Sequence, residues 1–410
     1  MTKRGVLRFL TSPSILLVEF NKGSCFMDCI YFDNAATSWP KPPGILEAIS
    51  DFNEIIGANP GRSAHRRSIE AARIVYTARE KMASLVGVSD PLRIIFTKNA
   101  TEAINLVILG LLNPGDHVIT SGMEHNSVMR PLRYLESRGV ELTVASCSGL
   151  GELDPDDVRR SIKKNTRAVI VTHASNITGT IMPIEDLALV AHNNGILFCV
   201  DAAQTAGNLP VNVEKTGIDL FCFTGHKSLL GPQGTGGLYI KKDLEKYIKP
   251  LIRGGTGSRS EFEDQPDFLP DCYESGTPNT IGLAGLAAGI EFVLSTGLEK
   301  IRKKEVHITG LFLKGLQDIK GVRLYGDPDP QKRTSVVSFT IDGISPSEAA
   351  FELDERFSIL SRPGLQCAPA AHRTIGTFPE GTIRFSFGPF TTEDEISIGL
   401  KAVETLSMGI

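Results

Sequence analysis

The 410-residue sequence is poor in the features that define several classes of protein. It contains 7 cysteines and a single tryptophan, and the cysteines do not follow the spacing of a disulfide framework. Its 43 basic and 47 acidic side chains almost balance, which argues against a dedicated nucleic-acid surface. No apolar run approaches the roughly 18 to 20 residues that a membrane-spanning helix requires. We therefore expect a globular chain with reduced thiols, located in the cytoplasm.

Residues 1–29 differ from the rest of the chain. Two early basic residues precede a short apolar stretch, but polar residues and a proline interrupt it and no small-residue cleavage site follows. We interpret the segment as an N-terminal extension, with Met27 as a candidate start because patterned sequence follows it directly. Cys25 and Cys29 lack a second pair of ligands, so we predict no metal site.

The middle of the chain alternates between short apolar, β-branched runs and segments with helical periodicity. Seven strands are predicted over residues 93–97, 117–121, 141–146, 167–173, 196–201, 219–224 and 237–241. Helices are predicted between them over residues 100–112, 127–138, 154–164 and 184–194. This alternation predicts a mainly parallel sheet covered on both faces. The short, glycine-rich connection before the seventh strand makes that strand a candidate antiparallel member.

The pattern changes near residue 297. Beyond it the sequence predicts helices over 298–318, 346–356 and 393–406 and strands over 322–325, 335–341, 358–360 and 383–387. We therefore predict an α/β fold with a large domain over 30–297 and a smaller α+β C-terminal domain over 298–410. A cleft between two such domains is the default position for a site.

Two nucleotide-binding motifs are absent from the sequence. The stretch GHKS at 225–228 resembles the end of a P-loop, but His226 separates the glycine from the lysine, and Leu220 stands where the first glycine belongs. No G-x-G-x-x-G follows any predicted strand. The chain therefore resembles neither an NTPase nor a dinucleotide-dependent dehydrogenase.

Polar side chains follow the predicted strands at their carboxyl ends, where open α/β sheets bind ligands. Asp201 follows one strand, Lys227 follows the next, and His125 follows a third. Thr101 stands where a strand turns into a helix, whose first N–H groups can bind an anion. Pyridoxal phosphate requires this set: a lysine for a Schiff base, a carboxylate for its ring nitrogen, a helix start for its phosphate and a flat side chain for stacking.

Several longer motifs follow one another along residues 30–406. They are DNAATSWPKP (33–42), NATEAINLV (99–107), MEHNS (123–127), HASNITGT (173–180), VDAAQTAG (200–207), TGHKSLLGPQGTGGLY (224–239), ESGTPN (274–279) and RPGLQCAP (362–369). Together they resemble the class V aminotransferase family of fold-type I pyridoxal phosphate enzymes. The chain is most similar to the Suf-type members of its cysteine desulfurase and selenocysteine lyase branch.

The resemblance implies roles in cofactor binding for seven residues. Lys227 would form the Schiff base, Asp201 would pair with the ring nitrogen, His125 would stack on the ring, and Gln204 would lie near the phenolic oxygen. The residues that would hold the phosphate are Thr101, Thr224 and His226.

The resemblance also implies substrate, subunit and sulfur-transfer roles. Asn176 and Arg384 match positions that hold the substrate carboxylate. Gly276 and Thr277 match a stretch that reaches the phosphate of a neighbouring subunit, which implies a homodimer. Cys367 matches the sulfur-accepting cysteine.

Individually, these residues have simpler interpretations. Lys227 could be a solvated surface lysine, Asp201 a helix N-cap, His125 a core histidine and Arg384 a strand arginine in an ion pair. We favour the functional interpretation because the residues occur in matching motifs. Cys367 lies in a loop, where an exposed thiol near cationic groups can act as a nucleophile.

Two positions depart from the Suf-type pattern. Such members commonly carry two histidines before the cysteine, where this chain has Leu365 and Gln366. They also often have a threonine where this chain has Ala100. Neither change removes an essential functional group.

The sequence thus predicts an enzyme that converts L-cysteine to L-alanine, carries the sulfur as a persulfide on Cys367 and delivers it to an acceptor protein, for example for iron–sulfur cluster assembly. The main alternative is a selenocysteine lyase that releases selenide from L-selenocysteine. Another class V reaction, such as transamination or epimerisation, is disfavoured by Cys367. A non-enzymatic scaffold protein would be expected to have lost Lys227 or Asp201. We expect no nucleic-acid or membrane partner.

Overall fold

The computed structural model describes residues 5–8, 17–20, 29–61 and 65–409. Most of the predicted N-terminal extension, including Cys25 and Met27, lies outside the described residues. Within it, a strand at Gly5–Arg8 (β1) pairs with an antiparallel strand at Leu17–Phe20 (β2).

The strands after this hairpin are β3 (Ile30–Tyr31), β4 (Ile94–Thr97), β5 (His117–Ser121), β6 (Glu141–Ala145), β7 (Thr166–Thr172), β8 (Leu197–Asp201), β9 (Leu220–Thr224), β10 (Gly236–Ile240), β11 (Val322–Tyr325), β12 (Val336–Ile341), β13 (Ile359–Leu360), β14 (Arg362–Gly364) and β15 (Thr382–Ser386). The α-helices are α1 (Ile45–Asp51), α2 (Arg66–Val86), α3 (Ala100–Leu111), α4 (Asn126–Glu136), α5 (Pro155–Arg160), α6 (Ile184–Asn193), α7 (Val213–Thr216), α8 (Thr280–Thr296), α9 (Leu298–Gln317), α10 (Pro346–Phe357), α11 (Pro369–Thr374) and α12 (Glu393–Ser407). Single turns of 3-10 or π-helix occur at Phe52–Ile56, Pro91–Arg93, Leu244–Lys246 and Pro330–Lys332.

The large sheet has the strand order β4-β10-β9-β8-β7-β5-β6. Neighbours from β9 to β6 run parallel, and β10 is antiparallel to both β9 and β4. The predicted seven-stranded, mainly parallel sheet is therefore confirmed, including its antiparallel member. All five residues of β5, β9 and β10 are buried, because helices cover both faces of the sheet.

The predicted boundaries of the helices hold to within a few residues, and α5 shows the largest difference. It ends at Arg160, whereas helical periodicity extends to residue 164. The reason is a turn in which the Lys163 N–H donates to the Thr166 hydroxyl at 2.7 Å and the Thr166 N–H donates to the Lys163 carbonyl at 3.1 Å. The helix therefore ends before this turn, and Thr166, a β-branched residue, begins β7.

The C-terminal unit is built on an antiparallel sheet of order β11-β12-β15-β14. Its core includes Phe312, Phe339 and Phe385, and the ring centroids of Phe339 and Phe385 lie 5.2 Å apart. Phe32 packs into the same core, and β3 pairs with β13, so the first residues after 29 lie on this unit. The division of the chain at residue 297 remains a prediction.

Helices α8 and α9 join the two units. Among the described residues, no helix taken singly has the length and apolar character to cross a membrane. Only α8 and α9 as a pair have both, and the chain bends by 81° between them.

Candidate active site

Lys227 lies in the tight loop between β9 and β10. This loop is held by hydrogen bonds from the Gly225 N–H to the Thr235 carbonyl and from the Leu230 N–H to the Lys227 carbonyl, each 2.8 Å long. Loss of hydration on burial lowers the pKa of Lys227 to about 8, and the negative charge of Asp201 opposes this shift only in part. The amine is therefore far more often neutral near pH 7 than that of an exposed lysine.

Asp201 ends β8, the strand next to β9, and is 4% exposed. One carboxylate oxygen, Oδ1, accepts from the Ala203 N–H at 2.9 Å, and Ser127 donates a hydrogen bond from its side chain. Burial raises the pKa of Asp201, while these donors and Lys227 lower it. The parallel strands thus bring the predicted carboxylate and lysine together, as expected for neighbouring carboxyl ends.

His125 caps the N-terminus of α4 at the end of β5. Its Nδ1 accepts from the Ser127 N–H at 3.0 Å, so the proton of the neutral ring lies on Nε2. Burial, followed by the charges of Lys227, Arg130 and Arg384, lowers the pKa of His125 to about 4. The imidazole is therefore neutral near pH 7, which suits a ring that stacks rather than one that forms an ion pair.

Gln204 lies close to the N-terminal part of the chain. Its Nε2 donates to the Ala35 carbonyl at 3.2 Å. The DNAATS stretch also covers the Lys227 loop, because the Ser38 N–H donates to the His226 carbonyl at 2.9 Å. Residues 33–41, which precede the Lys227 loop by about 190 positions in the chain, therefore form part of the predicted site.

The predicted phosphate-binding residues come from two strand ends. Helix α3 begins at Ala100 after the Asn99 cap, and Thr101 is exposed in its first turn. Among the described residues, the Thr224 hydroxyl makes a single long contact, of 3.5 Å, to the Thr235 carbonyl. The buried Nδ1 of His226 has no hydrogen-bond partner among the described residues. A weakly bonded hydroxyl, an unpartnered ring nitrogen and a helix start are donors that can bind an anion.

At Gly236, strand β10 passes close to the backbone at the start of α3, because glycine has no side chain. A Cβ at Gly236 would lie 2.6 Å from the Asn99 Cα. Any larger residue would push the helix start away from the sheet edge, so the glycine determines where α3 begins relative to Lys227.

Arg384 is 2% exposed on β15 and forms a cluster that the sequence did not predict. Its Nη2 donates to Asp33 Oδ1 at 2.9 Å and its Nη1 to the Asn176 carbonyl at 3.0 Å. Arg362 also binds Asp33, with Nη2 to Oδ2 at 2.7 Å. The Arg384 Nε–H is buried and has no partner among the described residues. Asp33 opens the motif at 33–42, and this was the available signal, but no local pattern pairs it with Arg384.

Cys367 lies between β14 and α11 and is the only exposed cysteine among those that the structure describes. The Asn126 N–H donates to the Cys367 carbonyl at 2.8 Å, next to His125. The Asn176 Nδ2 donates to the Gln366 carbonyl at 2.9 Å. These two bonds fix the cysteine loop beside the strand ends. Asn176 therefore contacts this loop in the structure, while its predicted contact with substrate remains a prediction.

Gly276 and Thr277 lie elsewhere, in an open cleft of about 680 Å³ that also contains Asn59 and Glu102. The Asn59 Nδ2 donates to the Thr277 hydroxyl at 3.4 Å. In the part of the chain that the structure describes, no hydrogen bond joins these two residues to the Lys227 site. Their predicted contact with the phosphate of another subunit remains a prediction.

Glu124 is a further buried group that the sequence analysis did not select. Its Oε1 accepts from the Ser121 hydroxyl and, at 3.0 Å, from the Thr172 N–H, so it bridges the ends of β5 and β7. Burial raises the pKa of Glu124 to about 8. The side chain is therefore neutral near pH 7, one residue before His125.

The residues present fit pyridoxal phosphate. A lysine with a lowered pKa, a buried carboxylate and two unpartnered nitrogen donors, on His226 and Arg384, are unfavourable to bury unless a ligand uses them. In the described residues no cluster of three or more histidine, cysteine or acidic side chains could hold a metal ion.

Comparison with known proteins identifies the family and the fold. A family model described as aminotransferase class-V matches residues 30–398, and the chain belongs to this family. The solved apo structure of a cysteine desulfurase from Thermococcus onnurineus NA1 has a TM-score of 0.86 and 36% identity, over 93% of this chain and 95% of that one. The cysteine desulfurase CsdA from Escherichia coli has a TM-score of 0.83 and 28% identity, over 93% and 95%. The predicted fold is confirmed.

Comparison at the level of sequence identifies the same family. A probable cysteine desulfurase from Methanothermobacter thermautotrophicus is 35% identical over 385 residues, which cover 93% of this chain and 95% of the relative. The resemblance deduced from the motifs is therefore confirmed at the level of family and branch.

Proposed function

We propose that this chain is a pyridoxal-phosphate-dependent cysteine desulfurase that converts L-cysteine to L-alanine and carries the sulfur as a persulfide on Cys367. One observation carries the proposal. The exposed Cys367 loop is fixed, through Asn126 and Asn176, beyond the carboxyl ends of β5 and β7, on the same edge of the sheet as Asp201 on β8 and Lys227 after β9. An accessible thiol beside a Schiff-base lysine has no role in simple transamination, whereas sulfur transfer requires one.

Seven residues would hold the cofactor. When bound, pyridoxal phosphate supplies an electron sink that acidifies the Cα hydrogen of the substrate and weakens its bond to sulfur. The residues for which we propose contacts with it are Lys227, Asp201, His125, Gln204, Thr101, Thr224 and His226.

Arg384 would bind the substrate carboxylate through its unpartnered Nε–H. A guanidinium suits this role because it remains charged when buried and can offer paired donors to a carboxylate. Asp33 balances its charge and keeps the side chain oriented. The neutral amine of Lys227 would take the proton from Cα, and in the protonated form it would return it.

Cys367 would complete the reaction. Its thiolate forms an S–S bond with the substrate sulfur, the C–S bond breaks, and the electron pair passes to the carbon fragment, which takes up protons to become L-alanine. The balance is one thiol and one L-cysteine converted to one persulfide and one L-alanine, and no external oxidant is needed.

Three further features belong to the proposal. The open cleft at Gly276 and Thr277 supports a homodimer in which each subunit contributes to the other's cofactor site. The exposure of Cys367 supports transfer of sulfur to an acceptor protein. A cytoplasmic location agrees with the small number of cysteines.

Product analysis tests this function. The purified protein, loaded with pyridoxal phosphate, is given L-cysteine and, separately, L-selenocysteine. We expect L-alanine from L-cysteine, with the persulfide mapped to Cys367 by mass spectrometry. Selenide release from L-selenocysteine without alanine formation from L-cysteine would instead identify a selenocysteine lyase.

A further inference from the structure

The backbone of the cysteine loop adopts an unusual conformation. The Ala368 N–H donates to the Leu365 carbonyl at 2.8 Å and closes a four-residue turn. Its two central residues, Gln366 and Cys367, have φ angles of 39° and 60°. This left-handed region favours glycine, asparagine or aspartate, and two successive side-chain-bearing residues of other types rarely occupy it. Surrounding contacts must therefore hold the turn in place.

The Gln366 side chain supplies those contacts. Its Nε2 donates to the Thr382 carbonyl at 2.9 Å and to the Arg362 carbonyl at 3.1 Å. Its Oε1 faces the His372 Nε2 at 3.1 Å. All three partners lie on the C-terminal unit, so the amide group ties the turn to β14, β15 and α11.

The hydrogen-bond pattern defines the orientation of each group. Two carbonyls can only accept, so the Gln366 nitrogen must face them and its oxygen must face His372. The His372 Nε2 must then carry the proton, and the Nδ1 must accept from the Thr377 hydroxyl, which lies 2.7 Å away. Burial lowers the pKa of His372 to about 4, so the ring keeps this neutral form near pH 7.

The backbone of the turn is held from the opposite side. The Gln366 carbonyl accepts from Asn176, and the Cys367 carbonyl accepts from Asn126. Two carbonyls of the turn thus attach it to the large sheet. On the C-terminal side the turn continues directly from β14 into α11, the His372 N–H donates to the Ala368 carbonyl at 3.2 Å, and the Gln366 side chain adds its own contacts. Among the described contacts, Gln366 is the only residue of the turn whose side chain makes hydrogen bonds.

We propose that Gln366 is the positioning residue for the Cys367 thiol, and that it acts in sulfur transfer but not in the earlier steps at Cα. The inference rests on the proposed function. Gln366 holds the left-handed turn through Arg362, Thr382 and His372, and the turn directs the thiol towards the substrate sulfur.

The first experiment separates thiol attack from the chemistry at Cα. In the holoenzyme with Gln366→Ala, formation of L-alanine from L-cysteine should fall about 10- to 100-fold, because a displacement of about 1 Å is enough for such a loss. Deuterium uptake at Cα of the substrate should stay within about twofold of wild type, because no thiol takes part in it. Gln317→Ala, at an exposed position at the end of α9, is the matched control and should change neither rate.

A second variant distinguishes the side-chain contacts from backbone strain. Glycine accommodates a positive φ without strain. If the side chain positions the thiol, Gln366→Gly should be as impaired in alanine formation as Gln366→Ala. Recovery of the wild-type rate in the glycine variant would overturn the proposal.

A third variant weakens the same contacts from a distance. Thr377→Val removes the hydroxyl that donates to the His372 Nδ1 and fixes the tautomer. It should show the same selective loss of alanine formation, smaller than in Gln366→Ala. Because Gln366 itself remains, this variant tests the proposal even if Gln366→Ala does not fold.

Hydrogen exchange in the apo-protein gives a readout that is independent of activity. In Gln366→Ala the Ala368 amide, which closes the turn, should exchange about tenfold faster or more, while amides of β12 and β15 keep their protection. This measurement also separates the two proposals. If the wild-type protein makes no alanine from L-cysteine, the proposed function fails, and unchanged exchange at Ala368 would still overturn the role of Gln366.

Two outcomes of the kinetic experiment contradict the proposal. Equal losses of alanine formation and of Cα exchange would mean that Gln366 supports the whole site and not the thiol. Wild-type rates in all variants would mean that the turn holds its conformation without the side chain.

Discussion

The Lys227 region and the Cys367 region reach the same site by different means. Asp201 ends a buried strand of the large sheet, and Lys227 and His125 lie a few residues beyond the ends of two others. Burial shifts the pKa of each. Cys367 lies in an exposed turn with positive φ and is held by contacts with both units. The first region is positioned by sheet topology, and the second by a small number of polar contacts. We therefore expect substitutions to separate the two regions functionally.

Lys227→Ala should have the largest effect, because it removes the amine to which we propose the cofactor attaches. Without the Schiff-base amine, we expect no covalent attachment of the cofactor and a loss of activity of several orders of magnitude. Borohydride reduction followed by peptide mapping should place the pyridoxyl group on Lys227 in the wild type. Lys242→Ala, at an exposed position, is the control. A pyridoxyl group on Lys242 or Lys241 would refute the assignment.

Cys367→Ala should disable the second region alone. Alanine formation from L-cysteine should fall by orders of magnitude, because no nucleophile remains to take the sulfur. Cofactor absorbance and deuterium uptake at Cα should persist. Cys147→Ala is the matched control, because burial raises the pKa of the Cys147 thiol to about 11 and leaves it unreactive. Alanine formation at the wild-type rate, with no other thiol carrying persulfide, would disprove the proposed mechanism.

Arg384→Lys tests the connection between the regions, because Arg384 contacts Asp33 and the Asn176 carbonyl. A lysine retains the charge but cannot reproduce the directed donors of a guanidinium. We expect the KM for L-cysteine to rise roughly 10- to 100-fold, as for loss of a charge-assisted pair. Cofactor absorbance should be unchanged. Arg362→Lys, which shares Asp33 but has a half-exposed side chain, should have a smaller effect. Equal effects of the two substitutions would mean that Arg384 has no special role.

The pKa of Lys227 can be tested through the rate at which the apo-protein attaches pyridoxal phosphate. Only the neutral amine reacts with an aldehyde, and burial lowers the pKa of Lys227 to about 8. The rate should therefore fall about tenfold per pH unit below about pH 8 and level off above it. A rate that still rises near pH 10, as for an exposed lysine, would show that the amine is not desolvated.

Glu124→Gln should have the smallest effect on activity and a measurable effect on stability. The pKa of Glu124 is about 8 in the folded protein and near 4.5 when unfolded, so the unfolded state loses its proton first. The wild type should lose stability as the pH rises from about 4.5 to about 8, by up to ~1.4 kcal/mol per pH unit, relative to the glutamine variant. Denaturant titrations at pH 5 and pH 8 measure this difference. Exposed Glu355→Gln is the control, and a difference that does not depend on pH would contradict the assignment.

Most of the fold and half of the site were predictable from local sequence. Alternating apolar strands and amphipathic helices specify a parallel sheet, and the handedness of the connections then leaves little freedom for the strand ends. Lys227, Asp201 and His125 follow directly from that order. Helix α8 was not predicted, because its buried residues lie on all sides and leave no amphipathic period.

The remaining half of the site depends on contacts between residues that are distant in the sequence. Asp33 and Arg384 are 351 positions apart, and no local pattern pairs them. The sequence placed Cys367 in a loop, but its left-handed turn and the Gln366 contacts exist only where β14, β15 and α11 meet. The sequence by itself therefore determined the family and the strand-end chemistry. The tertiary structure decided which charges balance Arg384 and how the thiol is held, because these depend on packing between the two units and not on the periodicity of either one.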